Sequence, residues 1–363
     1  MNIVFLDFDD IKNPLLAAGQ AIATYEVGKI MVKMGHKITV ISSRFPEFKD
    51  RKDQGIYYKH IGLGSSSIKL NNLIYILSLP FIVTKIKADI IIECFTPPIS
   101  TLFTPLWTSI PVVALPSSFE ADHFSKKYHL PFTWIEKFGS KFYKYFLPYS
   151  PYTDEKMKKM NPRIISKIVP EGVSREFFKI KKEPAEHILF LGRMDINQKG
   201  IDLLLKAYKK IIDRIQYPLI IAGNGPDEKK VSQIILQSGL EKKVFMIGAA
   251  YGRKKMKILA KSLFVAFPSR HETFSCFALE ALASGLPLVA FDIPGLSWTD
   301  KKSTIKAKNF DVNDYAKILL RTSKNKHINI ISKNARTFAR KYTWKKVALD
   351  FEAFFKKIMD YQL

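Results

Sequence analysis

The sequence predicts an α/β protein built from two Rossmann-like, parallel-sheet domains. Two observations carry this. Units that read as apolar strand, loop, helix and apolar strand recur in both halves, at residues 3–42 and again at 263–291. The chain has 363 residues, long enough for two full cores. At 47% hydrophobic and 25% charged the composition is ordinary for a globular protein. The charge balance is not: 58 Lys and Arg against 33 Asp and Glu give a formal +25, which suits nucleic acid, an anionic membrane surface or anionic substrates. The basic residues are spread along the chain and no RNA- or DNA-reading module is present, so no nucleic-acid partner is expected. Cys94 and Cys276 are the only cysteines and fall in different halves, which gives no disulfide framework and fits a reducing compartment.

Residues 3–8 read as the first strand, 19–34 as an amphipathic helix and 38–42 as the second strand. The chain opens directly on that strand, without a basic start, apolar core and small-residue cleavage site, so no secretory signal is expected. The loop DDIKNPLLAAGQ lacks G-x-G-x-x-G, which leaves a dinucleotide site without support. Asp7, Asp9 and Asp10 resemble the D-x-D of haloacid-dehalogenase-type phosphatases. That chemistry wants a hydroxyl or valine where Ile11 stands, so these aspartates are expected only to cap the sheet edge. The most apolar stretch, 73–86, is too short to span a bilayer and contains Pro80; it is expected as a buried helix. Strands follow at 90–94 and 112–115.

From 124 to 149 the chain turns aromatic and basic, with ten aromatics and five lysines. Trp134, Phe138, Phe142, Tyr145 and Tyr149 recur at helical spacing, and Lys137, Lys141 and Lys144 follow one position aside. An apolar stripe flanked by lysines is what an interfacial helix needs, so this stretch is a candidate for an anionic membrane surface; packing on the first sheet is the competing expectation.

In the second half, 164–169 leads into PEGVSREFF, and the polar stretch 179–186 reads as linker. Strand 188–191 delivers GRMDINQKGIDLLLKAYKKII, whose apolar residues from Ile201 to Ile215 form a helical stripe, with Arg193 and Lys199 ahead of it at the strand end. Two fixed cations there can stabilise the charge on a departing diphosphate without a metal. The next strand runs into GNGPDEKKV, and 244–248 is a further strand. Strands 263–267 and 287–291 bracket a loop and a helix beginning near Phe274 or Ser275. Such a loop lies at the carboxyl edge of a parallel sheet, where ligands bind, and the first N–H groups of the helix, at Ser275, Cys276 and Phe277, suit a phosphate. Glu280, two turns in, suits vicinal ribose hydroxyls; Glu272 sits in the loop. The last 21 residues form one amphipathic helix with Thr343 as N-cap.

The segment 263–291 resembles the E-x7-E region of retaining glycosyltransferases of the GT-B fold, family 4 (group 1). Pro268, Ser269, Glu272, Phe274, Glu280, Ala281, Ala283, Gly285, Pro287 and Val289 stand in register with that family's motif. Arg193 and Lys199 match its G-R-x-x-x-x-K-G, Gly223 its G-x-G-P loop, and Gly19 with Gln20 its amino-terminal donor loop. Three positions depart. Ser275 replaces the usual glycine, Glu171 replaces an asparagine, and Pro116 or Ser117 stands where a histidine is common, the nearest being His123 beside Glu120 and Asp122.

The resemblance implies a GT-B fold, with domains at 1–175 and 176–342 facing across a cleft and a helix at 343–363 crossing back. It implies transfer of a hexosyl group with retention from a UDP- or GDP-sugar to a saccharide or lipid-linked acceptor. Glu272 and His123 would act on the transferred sugar, and Gly19, Gln20, Arg193, Lys199, Gly223, Phe274, Ser275, Cys276 and Glu280 would hold the donor. Neither a cofactor nor a metal is expected, since no clustered His, Cys and carboxylate set has ligand spacing. The alternatives are a sugar-nucleotide 2-epimerase of the same fold, a basic nucleic-acid-binding protein, and a non-catalytic GT-B subunit. The expected location is the cytoplasm, with peripheral membrane contact.

Overall fold

Strands that are apolar at nearly every position can be buried on both faces, and the runs IVFL, IIIEC, with Glu93 its one charged residue, and VVALP become the central strands of a parallel sheet. The computed structural model describes residues 1–16, 19–95, 103–116, 119 and 121–360, with the side chains of Phe95, His123, Lys127 and Tyr128 outside that description. It divides into two units, Met1–Gly172 with Trp344–Leu363, and Val173–Thr343.

The first unit runs β1 (Asn2–Asp7), α1 (Gly19–Lys33), β2 (Lys37–Ser43), β3 (Arg51–Asp53), β4 (Ile56–Ile61), α2 (Ile68–Val83), β5 (Ile90–Phe95), β6 (Val112–Pro116), α3 (Ala121–Tyr128), α4 (Phe132–Gly139), β7 (Tyr145–Phe146), α5 (Pro151–Met160) and β8 (Ile165–Ser166). Its described residues form one sheet in the order β3-β4-β2-β1-β5-β6-β7-β8, parallel except between β3 and β4. Register places Phe5 between Val40 and Ile92, so the fully buried rows of three strands meet at one level.

The second unit runs α6 (Arg175–Phe178), β9 (His187–Leu191), α7 (Ile196–Lys199), α8 (Ile201–Lys209), β10 (Leu219–Ala222), α9 (Glu228–Gln237), β11 (Val244–Met246), α10 (Gly252–Lys261), β12 (Ser262–Phe267), α11 (Cys276–Ala283), β13 (Leu288–Phe291), β14 (Thr304–Ala307), α12 (Val312–Ser323) and α13 (Ile328–Ala339). Its sheet is parallel throughout, in the order β11-β10-β9-β12-β13-β14. The polar stretch 179–186 lies inside this unit and is no linker. Lys182 donates to Leu259 O at 3.0 Å and Ser262 O at 2.7 Å, and burial pushes its ammonium down to about 8. The last helix, α14 (Trp344–Asp360), returns to the first unit and packs on α1. It buries Val347, Phe351, Phe354 and Phe355, and His36 Nε2 meets Glu352 Oε1 at 3.1 Å.

Two sequence expectations fail in the first unit. The apolar stretch 73–86 is not buried. Tyr75, Leu79 and Val83 of α2 enter the core, but Leu73, Leu77 and Phe81 are exposed, because a helix lying on a sheet has only one face to give it. Nor is 124–149 one helix. His129 adopts φ 53° and Pro131 caps α4, so the chain breaks between α3 and α4, and α4 ends at Gly139. Beyond it Tyr143, Tyr145, Phe146 and Tyr149 are buried as part of the core. Trp134 and Phe138 stay outside on α4, and Lys137, Lys141 and Lys144 are exposed.

Candidate active site

The strands of the second unit deliver their following loops to one carboxyl edge, as a parallel sheet must. After β9 the chain makes a short helix, α7, capped by Asp195 accepting from Gln198 N at 3.0 Å, and turns at Gly200 in the left-handed region (φ 63°). A side chain at Gly200 would strike Pro268 O, which shows how closely this loop is laid against the one after β12. Gly223, in the loop after β10 at φ 138°, touches the Gly192 carbonyl in the same way. Arg270 locks the two outer loops together. It donates twice to Asp202, at 2.8 and 2.9 Å, and to Ile196 O at 2.7 Å, while its own N–H reaches Gln198 O.

This framework brings Lys199 and Glu272 into contact, Nζ to Oε1 at 2.6 Å, with the glutamate almost fully buried. Arg193 is exposed at the same edge and makes no ion pair among the described residues. The loop after β12 then enters α11 through Ser275, which holds φ 80° and accepts from Ala278 N through Oγ at 3.3 Å. The positive φ is the physical reason a glycine suits this place. The serine hydroxyl is turned onto the helix end, where it takes up one of the first-turn N–H groups. Phe274 is buried, stacked on Trp298 with ring centroids 4.3 Å apart, and accepts from the indole Nε1 at 2.8 Å. Its part is to hold the loop. Cys276 opens α11 as a half-buried thiol.

Glu280 lies on the next turn and is gripped by Lys255 of α10, whose ammonium also sits over the rings of Phe177 and Phe277, at 5.2 and 5.7 Å. Burial pushes the Glu280 carboxyl above its ordinary value, and Lys255 works against that. Lys255 and Arg270 were missed in the sequence, since each finds its carboxylate on another element. The run GRKKMK on α10 was the one trace of the former.

Gly19, Gln20 and His123 belong to the first unit. Gly19 begins α1, and Gln20 is tied inward, accepting from the Tyr149 hydroxyl at 2.7 Å and donating to Cys94 Sγ at 3.3 Å. His123 is on α3, with its side chain outside the described residues. No group of three or more His, Cys, Asp or Glu with metal-binding geometry occurs among the described residues.

Residues 173–340 match the family Glycosyl transferases group 1. The second unit is thus similar to the group 1 glycosyltransferases over nearly its whole length. A glycosyltransferase of Methanocaldococcus jannaschii is 38% identical over 109 residues, which are 30% of this chain and 28% of that one. A subunit of phosphatidylinositol N-acetylglucosaminyltransferase from Saccharomyces cerevisiae is 27% identical over 209 residues, 52% of this chain and 44% of that one. The chain spans under half the length of these relatives. Along the whole chain the fold is that of GT-B enzymes. Sucrose-phosphate synthase of Thermosynechococcus elongatus superposes with a TM-score of 0.79 at 15% identity over 99% of both chains. HepE of Anabaena, in complex with UDP and glucose, does so with a TM-score of 0.74 at 15% identity over 98% of this chain and 99% of its own. In the group 1 unit, Arg193, Lys199, Gly223, Glu272, Ser275, Cys276 and Glu280 all lie on or just behind the carboxyl edge of one sheet.

Proposed function

We propose that this glycosyltransferase moves a hexosyl group from a UDP- or GDP-sugar to a saccharide or lipid-linked acceptor, with retention at the anomeric carbon. The observation that carries the reading is the set at the edge of the group 1 unit: exposed Arg193, Lys199 on Glu272, the N-terminus of α11, and Glu280. Arg193 and Lys199 meet the diphosphate, and the first N–H groups of α11 add their dipole. As the sugar–phosphate bond breaks, negative charge gathers on the β-phosphate, where these cations stabilise it most. They supply this charge in place of a metal. Glu280 accepts from the ribose hydroxyls, sharing its carboxylate with Lys255. Glu272, held through Oε1 alone, orients hydroxyls of the transferred sugar with its other oxygen. The acceptor hydroxyl attacks from the face the diphosphate leaves, and the departing phosphate takes its proton.

The complex of HepE with UDP and glucose supports a nucleoside diphosphate donor. The relative named for phosphatidylinositol supports a lipid acceptor, as do the exposed Trp134, Phe138, Lys137, Lys141 and Lys144 on and after α4. We place the protein in the cytoplasm, peripheral on the membrane surface.

Thermal shift against UDP-, GDP- and ADP-sugars tests the donor. The cognate donor at a hundred times its dissociation constant stabilises by about 2.7 kcal/mol. No shift with any nucleotide sugar would reject the reading. Transfer activity lost in EDTA and restored by manganese would reject the metal-free mechanism.

A further inference from the structure

The apolar surface expected on a single stretch around α4 is carried largely by another element. Along the outer side of α2, Leu70, Leu73, Leu77 and Phe81 form an exposed row at spacings of three and four, with Leu77 58% and Phe81 73% exposed. The row is roughly 16 Å long at the helical rise per residue. A contiguous apolar row of this length on a helix otherwise packed on a sheet marks a docking surface.

Its surroundings join it to α4. α2 packs on the short 3-10 turn Thr104–Leu106, beside which Leu106 and Trp107 are exposed. Phe103, just before that turn, packs against Phe138 and Phe142, with ring centroids 6.4 and 5.7 Å apart, and Phe138 carries Trp134 stacked on it at 5.4 Å. The charge is of one sign. From residue 54 to residue 88 the chain contains no Asp or Glu, whereas Lys69 stands in the first turn of α2, and Lys85 and Lys87 follow its end.

We propose that α2 lies in the surface of an anionic bilayer, its outer row seated at the boundary of headgroups and acyl chains and its lysines among the phosphates. The helix has 16 residues, shorter than the roughly 20 that crossing requires, and no helix among the described residues is long and apolar enough to span. In-plane seating is the geometry left to it. A second copy of the chain is the poorer occupant, because a two-fold interface on this row would bring the same lysines of both copies together. This deepens the membrane partner read above from α4 and rests on that reading, so the test separates the two.

Vesicles of phosphatidylglycerol and phosphatidylcholine, mixed equally, are floated at low salt with the parent, with L77Q/F81Q, and with K137Q/K141Q/K144Q. Both apolar positions are exposed, so L77Q/F81Q keeps the parent's circular dichroism and melting temperature. Its vesicle binding falls by about tenfold or more, the effect of two large apolar side chains withdrawn from the interface. Binding by the parent weakens on pure phosphatidylcholine vesicles. If L77Q/F81Q floats like the parent while the lysine variant does not, α2 is not the docking element and the α4 reading stands alone. A parent that floats with neither vesicle overturns both readings. A parent dimer in light scattering that L77Q/F81Q converts to monomer, without lipid binding, assigns the row to a second copy instead. UDP affinity by calorimetry is unchanged in both variants whichever outcome is found, so failure of the docking proposal leaves the donor reading intact.

Discussion

After β1 in the first unit, Asp10 is gripped on both oxygens by Arg51, each at 2.7 Å, and reached by His60 Nε2 at 3.0 Å. After β9 in the second unit, Arg193 stands exposed without an ion-pair partner among the described residues, and Lys199 is held on Glu272. Both places are the carboxyl edges of parallel sheets of the same architecture. At the first, the cation is spent on its own carboxylate, lies over the ring of Tyr58 at 4.1 Å, and tethers an antiparallel edge strand to the sheet. At the second, positive charge remains for a ligand. Charged residues at a strand end therefore say little until their partners are known; a saturated network serves folding, and an unsaturated one serves binding.

The largest effect that sharpens this contrast is expected from Arg51→Met. It leaves a buried carboxylate without its guanidinium and should cost about 3–5 kcal/mol in urea unfolding. Affinity for UDP should be unaffected. Stability equal to the parent's would show that Asp10 is not held by this pair. Arg51 and His60 keep the Asp10 carboxyl well below the usual carboxylate range, so the stability it contributes is present above about pH 4 and is lost as the pH falls further.

Asp7, three residues earlier, behaves in the opposite sense. It is fully buried and accepts from Thr24 Oγ1 at 2.5 Å, and burial, with Asp9 nearby, pushes its carboxyl up to about 7. The folded protein keeps a proton that the unfolded chain releases near pH 4. The contribution of Asp7 to stability should be greatest below that pH, fall by a few kcal/mol as the pH rises to about 7, and level off beyond. Asp7→Asn should flatten the curve between these limits, as read from melting temperatures over that range. A slope that survives the substitution would remove Asp7 from the account.

Next in size is Arg193→Ala. It should weaken nucleoside-diphosphate binding by about 1.5–3 kcal/mol in calorimetry while changing stability by no more than about 0.5 kcal/mol. Lys199→Ala should lose as much binding and also destabilise, because it strands Glu272. Affinity equal to the parent's in both variants would break the comparison at its second half. The smallest expected effect is at Ser275. Replacing it by glycine removes a cap bond worth a few tenths of a kcal/mol and relieves a left-handed backbone costing about 1 kcal/mol or more, for a net gain of about 0.5–1 kcal/mol. Chemical denaturation giving a loss instead would mean that the cap outweighs the strain.

The central strands, the βα units, the place of Arg193 and Lys199 at a strand end, and the entry into α11 at Ser275 were legible in the amino-acid sequence, whereas the strands Arg51–Asp53, Ile56–Ile61, Tyr145–Phe146 and Thr304–Ala307 were not. Each of the former depends on neighbours within a few residues: a run of apolar side chains long enough for a buried strand, or a fixed spacing between a strand, a loop and a helix cap. Packing decided the rest. Lys255 on Glu280, Arg270 on Asp202 and His60 on Asp10 join side chains 25, 68 and 50 positions apart, and no local pattern specifies which cation meets which carboxylate. The same holds for apolar helices. The sequence marks 73–86 as an apolar helix and 134–149 as a helical stripe, but the exposed faces of α2 and α4 follow from which side the sheet covers, and the sequence between Gly139 and Tyr149 kept a helical rhythm while its aromatics went into the core. A hydrophobic side chain is driven out of water without being told where, and only the tertiary structure supplies or withholds the surface that receives it.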